Sequence, residues 1–436
     1  MSPATGAAPR WTELLLLMLA AGIGLAAALP RAVTSGGPTP SVAVSELAPT
    51  VTLILVLLLA HFALVLWGRG ADQVVLPLVA CLMLLSLALV QRLAPALAMR
   101  QWLWLLLAVP TLVLAALLPF DLRLLRRYRY TWALAGIGLV ALTLIAGRAA
   151  SPGGPRLWLG VGGLSFQPAE VLKLLLVVFL AGYLEDKREL LSQATTRVGP
   201  LRLPPLPYLV PLLVMLGLSL VLLAVQGDLG AALLLFAISL GLLYLASSRP
   251  AYLVVGLALF LAGAWILHDH VAVVATRASI WRDPWTDPQG AGYQLVQSLM
   301  AMSAGGVLGT GIGLGLPTAI PAVHTDFVYA AIVEEIGLAG AAAVVLVYLV
   351  LSMRGFRIAL EAVETFARLL AAGLTLAIAV QTLIILGGVL KLIPLTGITL
   401  PFLSAGGSSM VISCVAAGLL LRISREPRQT TRRSLP

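Results

Sequence analysis

The chain has 436 residues, of which 60% are hydrophobic and only 11% charged; soluble globular proteins carry fewer apolar and more charged residues. Most of the chain therefore belongs in lipid, and the net charge of +10 is read first as loop arginines at a membrane rather than as a nucleic-acid footprint. The two cysteines, Cys81 and Cys414, fall inside apolar runs, which excludes a disulfide framework, a zinc site or a thiol nucleophile and leaves them as small core residues.

A helical crossing takes about 20 apolar residues. Such runs lie near 11–29, 48–68, 73–91, 102–119, 131–147, 170–184, 207–224, 229–246, 251–268, 326–350, 368–391 and 408–422. They predict an all-α polytopic membrane protein of about 12 transmembrane helices. The first run, from Trp11 to Leu29, is too long for a signal-peptide core and lacks a small-residue cleavage site, so it is taken as an uncleaved first span. With the N-terminus in the cytoplasm, Arg69, Arg123, Arg126, Arg127, Arg129, Lys187, Arg188, Arg197, Arg202, Arg249, Arg354 and Arg357 fall inside. The tail with Arg422, Arg425, Arg428, Arg432 and Arg433 falls inside too. The other side receives only Arg31, Arg92, Arg100, Arg148, Arg156, Arg277 and Arg282. This bias puts both termini in the cytoplasm and the long Gly-, Pro- and Trp-rich connection from His268 to His324 outside, where long connections carry function. No internal repeat appears, so one membrane domain is expected.

Ionisable residues inside spans are costly and mark functional candidates. Glu170 and Lys173 stand at i and i+3 on one helical face, either as a helix-end pair or lining a cavity together. Asp228, after Gln226-Gly227, either caps the following helix or contributes an acid. His268 and His270 flank Asp269 at a spacing poor for a metal on a helix, and read as a solvated turn. In the long connection, Asp283 and Asp287 are each held extended by the proline that follows. Gln297-Ser298 belongs to a short amphipathic run, and the glycines from Gly305 to Gly315 suit close packing, turns or a phosphate cradle. Glu334 and Glu335 lie too deep in their span for a cap and point to different faces, at least one of them towards a polar cavity. Lys391, at a helix end, is placed to snorkel.

Several blocks follow one another in an order that carries a resemblance. They are Arg156 to Gly160 with Ser165 to Lys173, then Asp228-Leu229-Gly230, then Asp283-Pro284 through Gln294. Further on come Pro321 to Phe327 running into Glu334 to Gly337, and Pro394 to Phe402 with Ser404 to Ser409. On these blocks the chain resembles the shape, elongation, division and sporulation (SEDS) family, whose best-known members are RodA and FtsW. The resemblance runs from about Tyr130 to Ile423 and implies a core of about ten helices, here with two extra N-terminal ones. The expected division is 1–129 for N-terminal helices partly outside the family core, 130–423 for the polymerase core with an extracytoplasmic loop at 269–325, and 424–436 for a basic cytoplasmic tail. The family often has Asn where Ile385 stands, Tyr where Ala405 stands and Pro where Gly227 stands; none of these departures removes an acid or a base.

The resemblance implies a peptidoglycan glycosyltransferase that joins lipid II, a disaccharide-pentapeptide on undecaprenyl pyrophosphate, into glycan strands at the outer face of the bacterial cytoplasmic membrane, with inversion at the anomeric carbon. Asp287 matches the family position proposed for the general base, whereas Asp283 stands where the family also accepts Asn. Arg156, Lys173 and Arg277 are the groups available to the departing pyrophosphate. Gln294, Gln297, Ser298, His324 and Asp326 match family positions near the same surface, orienting sugars or holding the loop, and Glu170, Glu335 and Ser404 complete the substrate-binding set. No protein metal ligands are assigned; a divalent cation, magnesium or manganese, can still bridge phosphate with few protein ligands. Expected partners are lipid II, membrane lipids and a single-span class B penicillin-binding protein, and no nucleic acid. A lipid II flippase is the rival reading, since a helical bundle with intramembrane acids can also form a polar path between leaflets; a mere scaffold is a third. The choice among elongation, division and sporulation stays open.

Overall fold

A computed structural model of the chain describes residues 10–35, 40–149, 156–161, 164–192, 196–198, 201–203 and 206–425. The chain begins with helices α1 (Trp11–Ser35), α2 (Pro40–Trp67), α3 (Val75–Leu93), α4 (Pro95–Leu117), the short α5 (Leu122–Arg127) and α6 (Arg129–Ala146). Strands β1 (Arg148–Ala149), β2 (Arg156–Val161) and β3 (Leu164–Phe166) then form a small antiparallel sheet in sequence order. After α7 (Pro168–Ser192) comes a second hairpin of β4 (Thr196–Val198) and β5 (Leu201–Leu203), followed by α8 (Val210–Val225), α9 (Leu229–Ser247) and α10 (Pro250–His270). The remainder is α11 (Ala272–Arg282), α12 (Tyr293–Gly305), α13 (Val328–Glu361), α14 (Thr365–Val389) and α15 (Gly407–Ile423).

Every apolar run expected to span the membrane falls on a helix. Among the described residues, nine helices are long and apolar enough to cross a bilayer: α1 to α4, α6, α9, α10, α13 and α14. The expected count of about 12 is reached only by adding α8 and α15, which are apolar but shorter, and α7, which carries Glu170 and Lys173 at one end and Glu185 to Arg188 near the other. The basic tail expected over 424–436 is described only as far as Arg425.

α3 and α14 are buried nearly all round, as helices apolar on every face are at the centre of a bundle. Around them α15 lies along α4, α6 along α7, α1 against α2 and α3, and α14 along α13, α7 and α9. Peripheral α10 exposes Leu257, Leu261 and Trp265, the surface a helix presents to lipid.

The bundle has two chemically different ends. At one, Arg10 ahead of α1 donates to the carbonyl of Ala71 at 2.9 Å, and Arg425 after α15 donates to those of Trp67 at 2.9 Å and Ala116 at 2.7 Å. Arg126 pairs there with Glu185 at 2.9 Å and Arg129 with Asp186 at 2.5 Å. Both ends of the described chain therefore meet the α2–α3 turn. Just inside this end, the buried Glu13 carboxylate takes Arg10 Nε at 3.1 Å and lies 2.6 Å from His61 Nδ1, tying α1 to α2. The opposite end carries the β1–β3 sheet, α11, α12 and the segments leading into α13 and α15.

The connection from His268 to His324 is largely helical rather than a loop. α10 continues through His268 and His270 and stops only where Val271 turns extended, so the two histidines stand in a last helical turn. His268 Nδ1 lies 3.0 Å from Asp269 there. Lys391 follows α14 at φ 60°, and its carbonyl accepts from Trp281 Nε1 at 3.1 Å.

The glycine-rich stretch after α12 packs closely against a break in α13, and the amides of Gly309, Thr310, Gly311 and Leu314 all donate to carbonyls of the chain. α13 breaks at Gly337, where φ is 72° and ψ −176°. Across the break, Thr310 N donates to Glu334 O at 2.9 Å and Gly311 N to Glu335 O at 3.0 Å. In return Leu338 N donates to Gly306 O at 3.0 Å and Ala339 N to Val307 O at 3.1 Å. Glu334 Oε1 accepts from Leu316 N at 2.7 Å, and Glu335 forms an ion pair with Arg92 of α3. The two acids thus do point apart, each binding a different neighbour. Gly337→Ala should destabilise the protein by about 1–3 kcal/mol for the backbone alone, and by more in total, since its Cβ would come 2.3 Å from Val307 O. The thermal unfolding midpoint in detergent measures this, and an unchanged midpoint would show that the break does not need glycine.

Candidate active site at the end opposite the chain termini

Pro168 opens α7 and puts Glu170 and Lys173 one turn in, on one face. Lys173 Nζ donates to Glu170 Oε2 at 2.6 Å and to Gln381 Oε1 of α14 at 2.7 Å. Gln381 Nε2 in turn donates to Thr399 O at 2.6 Å. Of the two readings of this pair, the ion pair is formed, and it also fastens α7 to α14 and to the segment before α15. Two of the three N–H donors of the ammonium are used in doing so.

Asp228 does cap α9, its Oδ1 accepting from Ala231 N at 3.0 Å, while Oδ2 takes Gln167 Nε2 at 3.2 Å. Burial holds its carboxyl above the usual carboxylate range, and the Ala231 amide and Gln167 only partly offset this. From α11, Arg277 Nη1 donates to Thr396 O at 3.2 Å. Its other terminal nitrogen and Asp326 Oδ2 both approach the bare α-carbon of Gly397, at 4.0 Å and 3.8 Å from where a Cβ would stand. Burial pushes Asp326 up to about 6, with Thr325 and the Arg277 guanidinium pulling the other way.

Hydroxyls knit the segment before α15 into this cluster. Ser404 Oγ donates to Thr325 O at 2.5 Å and accepts from Leu400 N at 2.9 Å. Thr399 Oγ1 donates to Ser409 at 2.9 Å, and Ser408 Oγ accepts from Gln167 N at 3.2 Å. The result is two cations and three carboxylates among hydroxyl and amide groups, an environment suited to a ligand carrying both phosphate and sugar hydroxyls.

Asp283 and Asp287 both close turns. Asp283 accepts from Trp285 N and from Thr286 Oγ1, each at 3.0 Å. Asp287 accepts from Gly290 N at 3.0 Å with one oxygen and from Ala291 N at 2.8 Å with the other. Its carboxylate is exposed at this end of the bundle, one turn-forming segment away from α12.

The structure thus brings Glu170, Lys173, Arg277, Asp326 and Ser404 together. Among the described residues, no side-chain hydrogen bond or ion pair joins the other expected site residues to that cluster. Glu335 is taken by Arg92, Arg156 is exposed on β2 and Gln294 and Gln297 are half-buried on α12. Ser298 is buried with no hydrogen-bond partner for its hydroxyl among the described residues. His324 lines a separate open cavity of about 430 Å³ between α4, the β1–β3 sheet and Ala405 to Gly407, and burial lowers its pKa. Sequence reading missed Gln167 and Gln381 as members of the cluster. The signal for Gln381 was present, an amide in the middle of the apolar run 368–391, where a polar side chain needs a partner.

The family described as cell cycle protein, covering FtsW, RodA and SpoVE, matches residues 70–429, so α1 and α2 precede the matched part. Peptidoglycan glycosyltransferase RodA of Mycobacterium tuberculosis is 39% identical over 388 residues, which cover 86% of this chain and 82% of that protein. Among solved structures, a chain of a peptidoglycan synthase complex that coordinates polymerization and crosslinking matches with a TM-score of 0.68 at 29% identity, over 81% of this chain and 98% of that one. The rod shape determining protein RodA of Thermus thermophilus matches with a TM-score of 0.59 at 27% identity, over 81% of this chain and 97% of that one.

Proposed function

This chain belongs to the FtsW, RodA and SpoVE family of cell cycle proteins, and from that premise we propose that it is a peptidoglycan glycosyltransferase polymerising lipid II at the outer face of the bacterial cytoplasmic membrane. The observation that carries the reading is the shared location of an exposed, turn-held Asp287 and the cluster around Lys173 and Arg277, at the bundle end away from the chain termini. The arginine bias makes that end extracytoplasmic and leaves both termini in the cytoplasm.

In this reading the 4-hydroxyl of an acceptor sugar attacks the anomeric carbon of a donor. Asp287 takes the hydroxyl proton as the new C–O bond forms, the bond to the pyrophosphate oxygen breaks on the opposite side, and the centre inverts. Negative charge gathers on the departing undecaprenyl pyrophosphate, towards which Lys173, Arg277 and Arg156 supply cationic donors. Asp326, His324, Gln294, Gln297, Ser298 and Ser404 position sugars or hold the segments that bear the charged groups, and Glu170 and Glu335 keep Lys173 and Arg92 in place. The catalytic part lies within 130–423. A single-span class B penicillin-binding protein is the partner, a reading supported by the likeness to a synthase complex that couples polymerization to crosslinking.

Purified protein in liposomes with lipid II as the only substrate should produce glycan strands, seen as a ladder on a denaturing gel. Movement of lipid II between leaflets with no glycan formed would overturn this reading in favour of a flippase.

A further inference from the structure

Apart from His324, the open cavity beside the cluster is lined by groups with no part in the proposed reaction. Two guanidinium groups stand at it, Arg100 from the start of α4 and Arg148 from β1, with the aromatic rings of Trp104 and Trp158 and the backbone of Ala405 to Gly407. Among the described residues no carboxylate lines it, and neither arginine forms an ion pair.

The sheet places the two cations side by side. Gly160 of β2 pairs with Ser165 of β3 in antiparallel register, so the two residues face each other across about 4.5–5.5 Å. Arg100 Nη2 bonds to Ser165 Oγ, and Arg148 Nη1 lies 2.9 Å from where a Cβ on Gly160 would stand. Both guanidiniums are thereby set over one rung of the sheet, a spacing at which two planar donors can grip neighbouring phosphate oxygens. Trp104 and Trp158 add aromatic surface to the lining, and a cavity of about 430 Å³ falls within the roughly 300–1,000 Å³ of small-molecule sites.

The cavity is a neighbour of the cluster but not part of it. The segment from His324 to Asp326 separates them: His324 lines the cavity, the Thr325 carbonyl accepts from Ser404, and Asp326 turns to the Arg277 side. Joining two lipid-linked sugars requires two pyrophosphate-bearing molecules to be held at once, and one cluster of cations serves one of them.

Resting on the polymerase reading, we propose that this cavity is a second head-group site, in which Arg100 and Arg148 bind the sugar pyrophosphate of a lipid-linked substrate. The ligand chemistry is the same whether the molecule serves as donor or as acceptor.

The test measures binding and turnover separately, with the protein in phosphatidylcholine nanodiscs. The probe is a short-chain disaccharide pyrophosphoryl lipid, and its monophosphoryl counterpart is the control. The Arg100→Gln/Arg148→Gln variant should bind the pyrophosphoryl probe at least about tenfold more weakly, the equivalent of one charge-assisted hydrogen bond, and should lose the preference over the monophosphoryl control. Arg148→Lys, which keeps the charge but not the planar donor pair, should fall between. Because both arginines are exposed, the variants should keep the wild-type unfolding midpoint. In turnover with a carbon-linked acceptor analogue that cannot donate, a raised KM for the donor assigns the cavity to the donor, and a raised KM for the analogue assigns it to the acceptor. Unchanged probe affinity in the double variant would overturn the proposal, as would an equal loss for probe and control. Arginine-dependent binding without any glycan product would leave the cavity assignment standing and sink the polymerase reading instead.

Discussion

Asp287→Asn is expected to leave a folded protein whose rate of glycan formation falls by about 10²–10⁴-fold, the range in which a positioned general base contributes. The substitution is close to isosteric. Asn keeps one oxygen for Gly290 N or Ala291 N and loses the other acceptor, and at an exposed turn water replaces the lost bond, so the effect on stability should stay near 1 kcal/mol or less. Binding of lipid II should survive, because no proposed contact to the pyrophosphate involves this carboxylate. Gly290→Ala offers an independent approach to the same group: a Cβ at Gly290 would sit 2.2 Å from Asp287 Oδ2 and must displace the carboxylate. It should lower the rate as well, whereas Asp283→Asn, at the neighbouring turn, should retain most activity. A gel assay on lipid II reads all three, and full activity in Asp287→Asn would mean that another group takes the proton.

Lys173→Met should have a large effect on both stability and turnover, and a second substitution separates the two. Glu170 and Gln381 lose their shared donor, and breaking one side of a largely buried ion pair costs about 3–5 kcal/mol. Removing the partner charge as well, in Glu170→Gln/Lys173→Met, should recover much of the unfolding midpoint because no uncompensated charge remains. Activity should stay at least about 10²-fold down in both variants if the ammonium stabilises charge on the departing pyrophosphate. Recovery of turnover together with the midpoint would show that the pair only braces α7 against α14.

The difference between these residues separates local contacts, which a linear sequence reveals, from long-range ones, which it does not. Glu170 and Lys173 pair through a spacing of three on a helix, a local geometry that any i, i+3 pair on an exposed or buried face shares. Asp228 caps the helix it precedes for the same kind of reason, since the free amides of the first turn are supplied by the next residues along the chain. The partners of Glu335, Arg277 and Gln381 come from other helices or segments far along the chain, and no periodicity within either element identifies them. α11 is hidden inside an apparent loop because it is short and has no buried face, whereas α12 shows in the sequence as the short amphipathic run around Gln297-Ser298. The apolar stripe that betrays a core helix is absent from α11.

Composition and local pattern alone were enough to make this a helical membrane protein and to place each expected span on a helix. Those properties depend on the length of apolar runs and on helical spacing, both of which are written in consecutive residues. The tertiary structure decided the rest: that the glycine-rich turn completes the broken α13, that Glu335 belongs to Arg92, and that one rung of a small sheet sets Arg100 beside Arg148. Each of these needs hydrogen-bonding or charged groups from separate elements to meet in space, where a bilayer offers no water to take their place.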